Sequence, residues 1–377
     1  MDTLTNDTPF EAGWTIGFRQ DGRELIVVVV KGTFVLVDGD GRNGEPQLAG
    51  EQQSLLMADV FGPDPAFNAP LLENDYCPYK PECDVLLAGA AHSPDGRRVR
   101  TLRVDLRVGS VSKSFTVTGP RRWRGGLTGP SAGEPEPMTT QAISYDVAFG
   151  GTEIDPDRPD RVDTFLDNPV GRGFRKRNLD VAGEPMPVTE EASNPIRDPR
   201  RQYRPMALGP LGRSWRPRAK YAGTYDERWA TDVAPMLPPD FDLLYFQAAP
   251  ADQRMPYPRG GEPIHLANLV PVEVRAEADA RSTVPRARVG VMFVPARGKA
   301  TCVEAPLDTI LLEPDQNRFT CSWRASHATV RDAFEIREVV AYVRTPQSDA
   351  RARAGLAGKE YFHGLGELAR ARRQGRP

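Results

Sequence analysis

The segment ELIVVVVKGTFVLV, from Glu24 to Val37, restricts the fold of this chain more than any other part of the sequence. It is β-branched and apolar on both faces, which is typical of a strand buried inside a sheet. Lys31 interrupts it. A lysine at such a position either leaves at a sheet edge or meets a buried carboxylate. The sequence therefore predicts a β sheet with a charged residue inside it.

Glycine and proline are unusually frequent, with 34 and 36 copies among 377 residues. Both residues break helix interiors, so this composition disfavours a helical bundle. Hydrophobic residues make up 39% of the chain, which is enough for a sizeable core. The breakers concentrate in the middle of the chain. We divide it into strand-rich 14–118, loop-rich 119–265 and strand-rich 266–345, forming one domain over 1–345, and a basic, partly helical tail over 346–377.

Local alternation predicts two hairpins. Apolar and polar residues alternate through 99–118 on both sides of Gly109-Ser110, which favours a two-residue, type II′-like turn. The strings DTILLE and RFTCSWR flank the turn Pro314-Asp315-Gln316-Asn317 in the same way. Phe334 to Tyr342 suggest a last strand.

The loop-rich region 119–265 has few runs of regular period, but aromatic residues occur throughout it. Disordered segments are poor in aromatics, so we predict an ordered, irregular region packed on a sheet. The predicted fold is mainly β: a β-sandwich or distorted barrel with a long loop-rich insertion and a short C-terminal helical tail. The tail is basic over 351–377, and it is either a frayed helix or a docking segment for an acidic partner.

Charge and hydropathy limit the partners. The formal net charge is −2, which argues against a nucleic-acid binder that works through overall charge. The longest strongly apolar run, Leu25 to Val30, is far shorter than the roughly 20 residues of a membrane helix. The N-terminus has neither a basic nor an apolar signal region. We expect no nucleic-acid partner, no membrane partner and a cytoplasmic location.

Cysteines and histidines give no metal motif. Cys77, Cys83, Cys302 and Cys321 form no CxxC pair, so we expect reduced structural thiols, with a Cys77–Cys83 disulfide as the alternative. The four histidines have no metal-ligating spacing, and no nucleophile elbow, phosphate-binding loop or dinucleotide fingerprint occurs. We expect no catalytic residues, no metal and no cofactor.

One polar set lies in or beside the strand signals, and it predicts either a buried ionic network that fixes loops or a polar ligand pocket. Its members are Lys31, Asp84, His92 and Arg122. The string Trp215-Arg216-Pro217-Arg218 predicts either a rigid corner or an exposed anchor, because tryptophan and arginine are enriched at interface hot spots.

Nine segments in order resemble the bacterial family called domain of unknown function 2169. They are VVVVKGTFVL (27–36), KPECDVLLAGAAHSPDG (80–96), VTGPRRW (117–123), ISYDVAFGG (143–151), DNPVGRGF (167–174), LGPLGRSWRPRAKYAGTYDERW (208–229), LPPDFDLLYFQAAPADQ (237–253), RGGEPIHLANL (259–269) and LDTILLEPDQNRFTCSWRA (307–325). The resemblance implies a non-enzymatic adaptor or chaperone that binds a type VI secretion effector and helps load it onto the spike or its PAAR tip protein.

The loop-rich region carries most of these motifs, so we expect the partner surface there. The candidate partner-binding residues are Arg122, Trp123, Phe174, Trp215, Arg216, Arg218, Tyr225, Trp229 and Phe241. The main alternative function is a carbohydrate-binding or carbohydrate-cleaving β-domain, suggested by the tryptophans and by carboxylates such as Asp240 and Glu262. A purely structural component of the secretion apparatus is a third possibility.

Overall fold

Strands dominate the computed structural model, which describes residues 3–37, 44–65, 67–126, 129–177, 180–274 and 279–356. It is 39% strand and 10% helix, which confirms the mainly β prediction. No sheet in these ranges closes into a barrel, so the barrel alternative is not found.

The described ranges contain 25 strands. In chain order they are β1 (Thr3–Asp7), β2 (Glu11–Phe18), β3 (Glu24–Val35), β4 (Val60–Phe61), β5 (Pro70–Leu72), β6 (Cys83–Leu87), β7 (Gly89–His92), β8 (Thr101–Val108), β9 (Val111–Thr118), β10 (Trp123–Arg124), β11 (Ser131–Ala132), β12 (Thr140–Ile143), β13 (Phe149–Gly150), β14 (Thr152–Ile154), β15 (Val162–Thr164), β16 (Arg172–Gly173), β17 (Thr189–Glu190), β18 (Arg254–Met255), β19 (Pro263–Ala267), β20 (Asp279–Thr283), β21 (Val289–Pro295), β22 (Thr301–Ala305), β23 (Leu307–Glu313), β24 (Arg318–Ala328) and β25 (Ile336–Val343).

Helices in the described ranges are short. The α-helices are α1 (Arg216–Ala219), α2 (Glu227–Asp232) and α3 (Pro346–Leu356), and 3-10 turns occupy Tyr145–Val147, Leu243–Phe246, Ala251–Gln253, Pro314–Gln316 and Ala333–Glu335. None of the helices in the described part of the chain has the length and apolar character needed to cross a membrane.

The largest sheet has six strands in the order β18-β6-β23-β24-β3-β2. Its strand β3 confirms the buried strand predicted from the apolar segment, and it pairs with β2 on one side and β24 on the other. One face of this sheet is apolar and contributes Val28, Val30 and Cys321 to the core. The opposite face carries Lys31 and its cross-strand neighbour Ser322, so it is polar at its centre.

A five-stranded sheet, β17-β9-β8-β19-β20, contains the first predicted hairpin. Val108 pairs with Val111, so β8 and β9 are joined by two residues, and Gly109 has a φ of +53°. This left-handed first turn residue agrees with the predicted type II′-like turn. The second predicted hairpin is also present, because β23 pairs with β24 across the 3-10 turn Pro314–Gln316.

A four-stranded sheet, β1-β25-β21-β22, completes the main body, and β25 confirms the predicted last strand from Ile336 onward. Phe334 precedes it in an exposed 3-10 turn. All three large sheets supply buried side chains, such as Val30, Phe115 and Val291, to one hydrophobic core. The fold therefore stacks open sheets around a shared interior.

The loop-rich region packs on itself around a second, aromatic core. Phe149 contacts Phe165 and Tyr203 edge to face, with ring centroids 5.2 and 5.4 Å apart. The fully buried Asn168 amide donates to the carbonyls of Tyr145 and Phe149, at 2.8 and 3.0 Å, so it replaces missing sheet hydrogen bonds. The prediction of an ordered, irregular region is confirmed.

The cysteines are all free in the structure, so the alternative Cys77–Cys83 disulfide is not formed. Cys321 is fully buried on the same face of β24 as Phe319 and Trp323, which agrees with a reduced structural thiol. The predicted helical tail begins as α3, while Tyr361, Leu365 and Leu368 lie outside the described residues.

Candidate functional site

The polar face of the six-stranded sheet carries a buried network of ion pairs. Register explains why its members share a face: Lys31 lies opposite Ser322, and Thr309 lies beside Asp84. The ammonium of Lys31 is 2.8 Å from the carboxylate of Asp75, a residue of the loop that covers this face. The sequence predicted that Lys31 either leaves the sheet at an edge or meets a buried carboxylate. The structure shows the second arrangement, with Asp75 as the carboxylate.

Asp84 is the most fully enclosed carboxylate of the network, with no exposed surface. It accepts hydrogen bonds from the ammonium of Lys80 at 2.8 Å and from the side-chain amide of Gln247 at 2.6 Å. The backbone N–H groups of Ala248 and Ala249 also donate to it, at 2.8 and 3.2 Å. These donors fix the covering segment against β6, since a buried carboxylate is stable only when paired and hydrogen-bonded.

Glu73 connects two segments that are distant in the chain, one carrying Lys80 and the other carrying Arg213 and Arg218. Its carboxylate is 3.0 Å from Lys80 and 2.8 Å from the guanidinium of Arg218, with Arg213 at 3.6 Å. Burial by itself would raise the pKa of Glu73, but the neighbouring cations outweigh burial and hold the pKa below its usual value. Asp59 extends the network outward by pairing with Arg213 at 2.8 Å.

Arg324 and Asp308 form a second buried pair, with 4% and 1% of their surface exposed. Burial raises the pKa of Asp308 against the pull of Arg324 and Lys80. The hydroxyl of Thr309 accepts from Lys80 at 3.1 Å and donates to Asp308 at 3.0 Å, which links this pair to the rest. The network thus contains five cations and five carboxylates: Lys31, Lys80, Arg213, Arg218, Arg324, Asp59, Glu73, Asp75, Asp84 and Asp308.

The space left inside this network is small. A cavity of about 20 Å³ remains between Lys31, Lys80 and Arg324, which is room for about one water molecule. Such a cavity favours a network that holds loops in place over a pocket for a ligand. Within the described ranges, no three histidine, cysteine or acidic side chains are grouped closely enough to hold a metal ion.

His92 and Arg122 do not belong to this network, which corrects the predicted set of four. His92 pairs its Nε2 atom with Asp315 at 2.7 Å, at the start of the hairpin that joins β23 to β24. Arg122 is exposed and donates to the carbonyl of Gly183 at 2.7 Å. The two residues were grouped because they lie near strand signals, but proximity in sequence does not determine which face of a sheet a side chain joins.

Five of the predicted partner-binding side chains are buried, so in this structure they form no surface. Trp123 and Phe174 belong to the aromatic core of the loop-rich region, and Phe241 packs on Tyr245 and Phe246. The other two, Trp215 and Arg218, are the first and last residues of the string that predicted a rigid corner or an anchor. Trp215 packs edge to face on Tyr145, and Arg218 belongs to the ionic network.

The remaining four predicted residues keep access to solvent. Arg122 is one of them, and Arg216 pairs with Asp167 on the surface. Tyr225 lies edge to face on the partly exposed Trp229, with ring centroids 4.7 Å apart. Of the nine predicted partner-binding residues, only these four can therefore contact a partner at the surface of this structure.

An apolar groove that the sequence did not single out lies beyond the tip of the β2–β3 hairpin. Its volume is about 520 Å³, and its walls include Phe18, Tyr79 and Leu243, which are 51%, 42% and 43% exposed. The side-chain amide of Gln20 donates to the carbonyls of Pro238 and Phe241, at 3.3 and 2.9 Å, so the two walls are tied together. The alternation of Trp14, Ile16 and Phe18 was the available signal, but within the predicted strand-rich region 14–118 the apolar segment from Glu24 onward is the first clear strand.

The carboxylates proposed for carbohydrate chemistry have local partners. Asp240 accepts from the backbone and hydroxyl of Thr224, at 2.9 and 2.7 Å, and these hydrogen bonds hold its pKa below the usual value. Glu262 accepts from the backbone N–H groups of Arg259 and Gly260, at 2.7 and 2.8 Å. A glycosidase needs a carboxylic acid with a raised pKa, so the environment of Asp240 is opposite to that requirement.

The fold and groove define a mainly β protein with an ion-paired sheet face and an open apolar surface. Residues 21–324 match the family model described as "Uncharacterized protein conserved in bacteria (DUF2169)", and the chain belongs to that family. No curated protein matches the chain, and no solved structure matches it.

Proposed function

We propose that this protein is a non-enzymatic adaptor or chaperone that binds a type VI secretion effector and assists its loading onto the spike or its PAAR tip. The observation that carries the proposal is the apolar groove whose walls include the exposed Phe18, Tyr79 and Leu243. Contiguous exposed apolar surface on a folded domain marks a site of protein association. The resemblance of the sequence motifs to this family, described under Sequence analysis, implies the same role.

An adaptor has to cover an apolar segment of its client and release it later. The groove suits that task, because it is open and its rim is polar, with Arg19, Gln20 and Asp21 beside the apolar walls. An interface with an apolar centre and a polar rim is typical of associations that remain reversible. We propose that the protein acts in the cytoplasm, before the client reaches the secretion apparatus.

The test is capture of partners by the tagged full-length protein in its own host while the secretion system is expressed, with mass spectrometry of the bound proteins. We expect an effector and a spike or PAAR protein to be recovered. Leu243→Ser should abolish capture, while Leu166→Ser, which changes a leucine of 54% exposure outside the groove, should leave it intact.

Recovery of no toxin and no secretion component by the wild-type protein would overturn the proposal. Equal capture by Leu243→Ser and Leu166→Ser would move the contact surface away from the groove. Stable, stoichiometric incorporation into the assembled apparatus would instead favour the structural-component alternative. Repeating the capture without residues 351–377 tests whether the basic tail docks a partner.

A further inference from the structure

The outer edge of strand β2 has no partner strand in the described part of the chain. β2 ends the order of the six-stranded sheet, and its register with β3 runs unbroken from Glu11 opposite Lys31 to Phe18 opposite Glu24. No backbone hydrogen bond other than the β3 ladder reaches these eight residues in the described ranges. This edge therefore carries a row of backbone donors and acceptors with which no described segment pairs, beside the apolar groove.

The other edges of the three large sheets are protected in ways that edge strands usually are. β17 and β18 have only two residues each. β20 carries Asp279 and Arg281, β22 carries Glu304, and β1 carries Asp7, which pairs with Arg351 at 3.2 Å. Short length and charged side chains both discourage the addition of a further strand.

β2 has none of these protections beyond its first residue. It is eight residues long, it has no proline or lysine, and no bulge interrupts its register. From Ala12 to Phe18 it carries no charge. An unprotected edge of this length in a folded protein is an aggregation hazard unless a partner covers it.

Side chains along β2 define what would fit beside it. Trp14, Ile16 and Phe18 share the face that continues the apolar core, and Ile16 and Phe18 are largely exposed. The other face carries Gly13, Thr15 and Gly17, and the covering loop approaches it closely, because a side chain at Gly13 would collide with Tyr76 and Leu55. Successive side chains of an added strand would point alternately to these two faces.

We propose that the client is recognised by strand addition: an extended, uncharged segment with alternating apolar side chains pairs with the outer edge of β2, and its residues near Phe18 enter the groove. This inference rests on the proposed adaptor function and names the element of the client that is bound. Main-chain hydrogen bonds supply affinity for any strand-forming segment, and the apolar neighbours Trp14 and Ile16 supply selection. A charged segment would lose solvation beside these side chains without gaining a partner.

The proposal is tested with a peptide of simple sequence, because backbone pairing does not require a particular client. The probe is a fluorescein-labelled octapeptide of alternating valine and threonine, titrated with the full-length protein by fluorescence anisotropy. The control peptide has the same side chains but carries N-methyl groups on its four central backbone nitrogens, which blocks pairing along both of its edges. We expect the methylated peptide to bind at least about tenfold more weakly, since the groove contacts remain but the ladder cannot form.

Two protein variants match each other closely. Ile16→Lys places a charge on the free edge, while Val272→Lys makes the same kind of change at a site of equal exposure, 40%, away from β2. We expect Ile16→Lys to lower the affinity for the valine–threonine peptide by about tenfold or more. Val272→Lys should leave that affinity unchanged. Thermal unfolding of each variant shows whether it folds, and hydrogen exchange of wild type should show peptide-dependent protection within 11–18.

Equal binding of the two peptides would overturn strand addition, as would no binding of the unmethylated peptide at about 1 mM or protection that falls outside 11–18. The adaptor proposal fails separately. If the host capture recovers effector equally with wild type and Ile16→Lys, strand addition is wrong and the adaptor role stands. If the peptide binds β2 but no secretion component is captured, strand addition stands and the adaptor role is wrong.

Discussion

The ammonium of Lys31 lies 2.8 Å from the carboxylate of Asp75, and this pair joins strand β3 of the largest sheet to a loop 44 residues further along the chain. Asp75 also accepts from the backbone N–H of Leu56, and its carbonyl accepts from Arg324, at 2.7 and 2.6 Å. Through its carboxylate and its carbonyl, Asp75 therefore connects its own loop and the loop of Leu56 to strands β3 and β24. This explains how an irregular covering layer is fixed on a regular sheet.

Replacing Lys31 by methionine should lower the free energy of unfolding by about 3 kcal/mol or more, because Asp75 would be left buried without its cation. The measurement is urea unfolding at neutral pH. Arg228→Met is the control, since Arg228 is 87% exposed and only 4.0 Å from Asp232, and it should cost less than about 0.5 kcal/mol. Similar losses in the two variants would show that the buried pair contributes little.

Arg216 and Arg218 are two residues apart and should respond very differently to methionine. Arg218 is buried, pairs with Glu73 at 2.8 Å and donates to the carbonyl of Leu211 at 3.0 Å, so its loss should cost about 3–5 kcal/mol. Arg216 pairs with Asp167 on the surface, and its loss should cost about 0–1 kcal/mol. Equal effects in chemical unfolding would contradict the placement of Arg218 in the network.

Acid should destabilise the protein partly through Glu73. Its pKa is held below the usual 4.5, so the folded state favours the carboxylate. That contribution to stability is present above about pH 4.5 and is lost as pH falls through the folded pKa. Glu73→Gln should therefore be less stable at pH 7, and its stability should fall less steeply on acidification. Urea unfolding at a series of pH values checks this, and identical slopes in both proteins would disprove it.

Gln20 should hold the wall of the groove at 237–246 in place, while the rest of the fold should not depend on it. Gln20→Leu removes both hydrogen bonds to the Pro238 and Phe241 carbonyls, so the wall at 237–246 should exchange its amide hydrogens faster and client capture should fall several-fold. Gln141→Leu is the matched control, because among the described residues the side-chain amide of Gln141 makes only a local hydrogen bond, to the carbonyl of Ala142 at 3.4 Å. Unchanged exchange in 237–246 would show that Gln20 does not hold the groove.

Asp240→Ala and Glu262→Ala separate the adaptor from a carbohydrate-cleaving enzyme. Each carboxylate accepts hydrogen bonds from nearby backbone, so each change should lower the stability only slightly and leave the protein folded. Capture of secretion components should be retained by both variants. Sugar release from a panel of polysaccharides by the wild-type protein, lost in either variant, would instead establish the carbohydrate alternative.

Strands and turns were predictable where the signal was local. The hairpin around Gly109-Ser110 follows from alternation over a few residues, and Gly109 adopts the positive φ that the turn requires. β2 was harder to recognise, because Gly13 and Gly17 weaken its strand signal. β2 is an edge strand because no other described strand pairs with its outer side, and only the arrangement of the whole sheet determines this.

The candidate surface could be predicted only in part. Trp215, Arg216 and Arg218 belong to one short string whose composition fits either a corner or an anchor, and the structure buries the first and last while exposing Arg216. Burial there depends on Tyr145 and Glu73, which are distant in sequence. Short-range composition contains no information about such contacts.

The sequence by itself determined the β-rich class, the two hairpins and an ordered aromatic middle region, because these follow from alternation, turn residues and composition within short windows. The partner of Lys31, the separation of His92 and Arg122 from the network, and the open edge of β2 were decided only by the tertiary structure. Each depends on the pairing of segments far apart in the chain, which fixes the sheet face on which a side chain lies and whether another segment covers it.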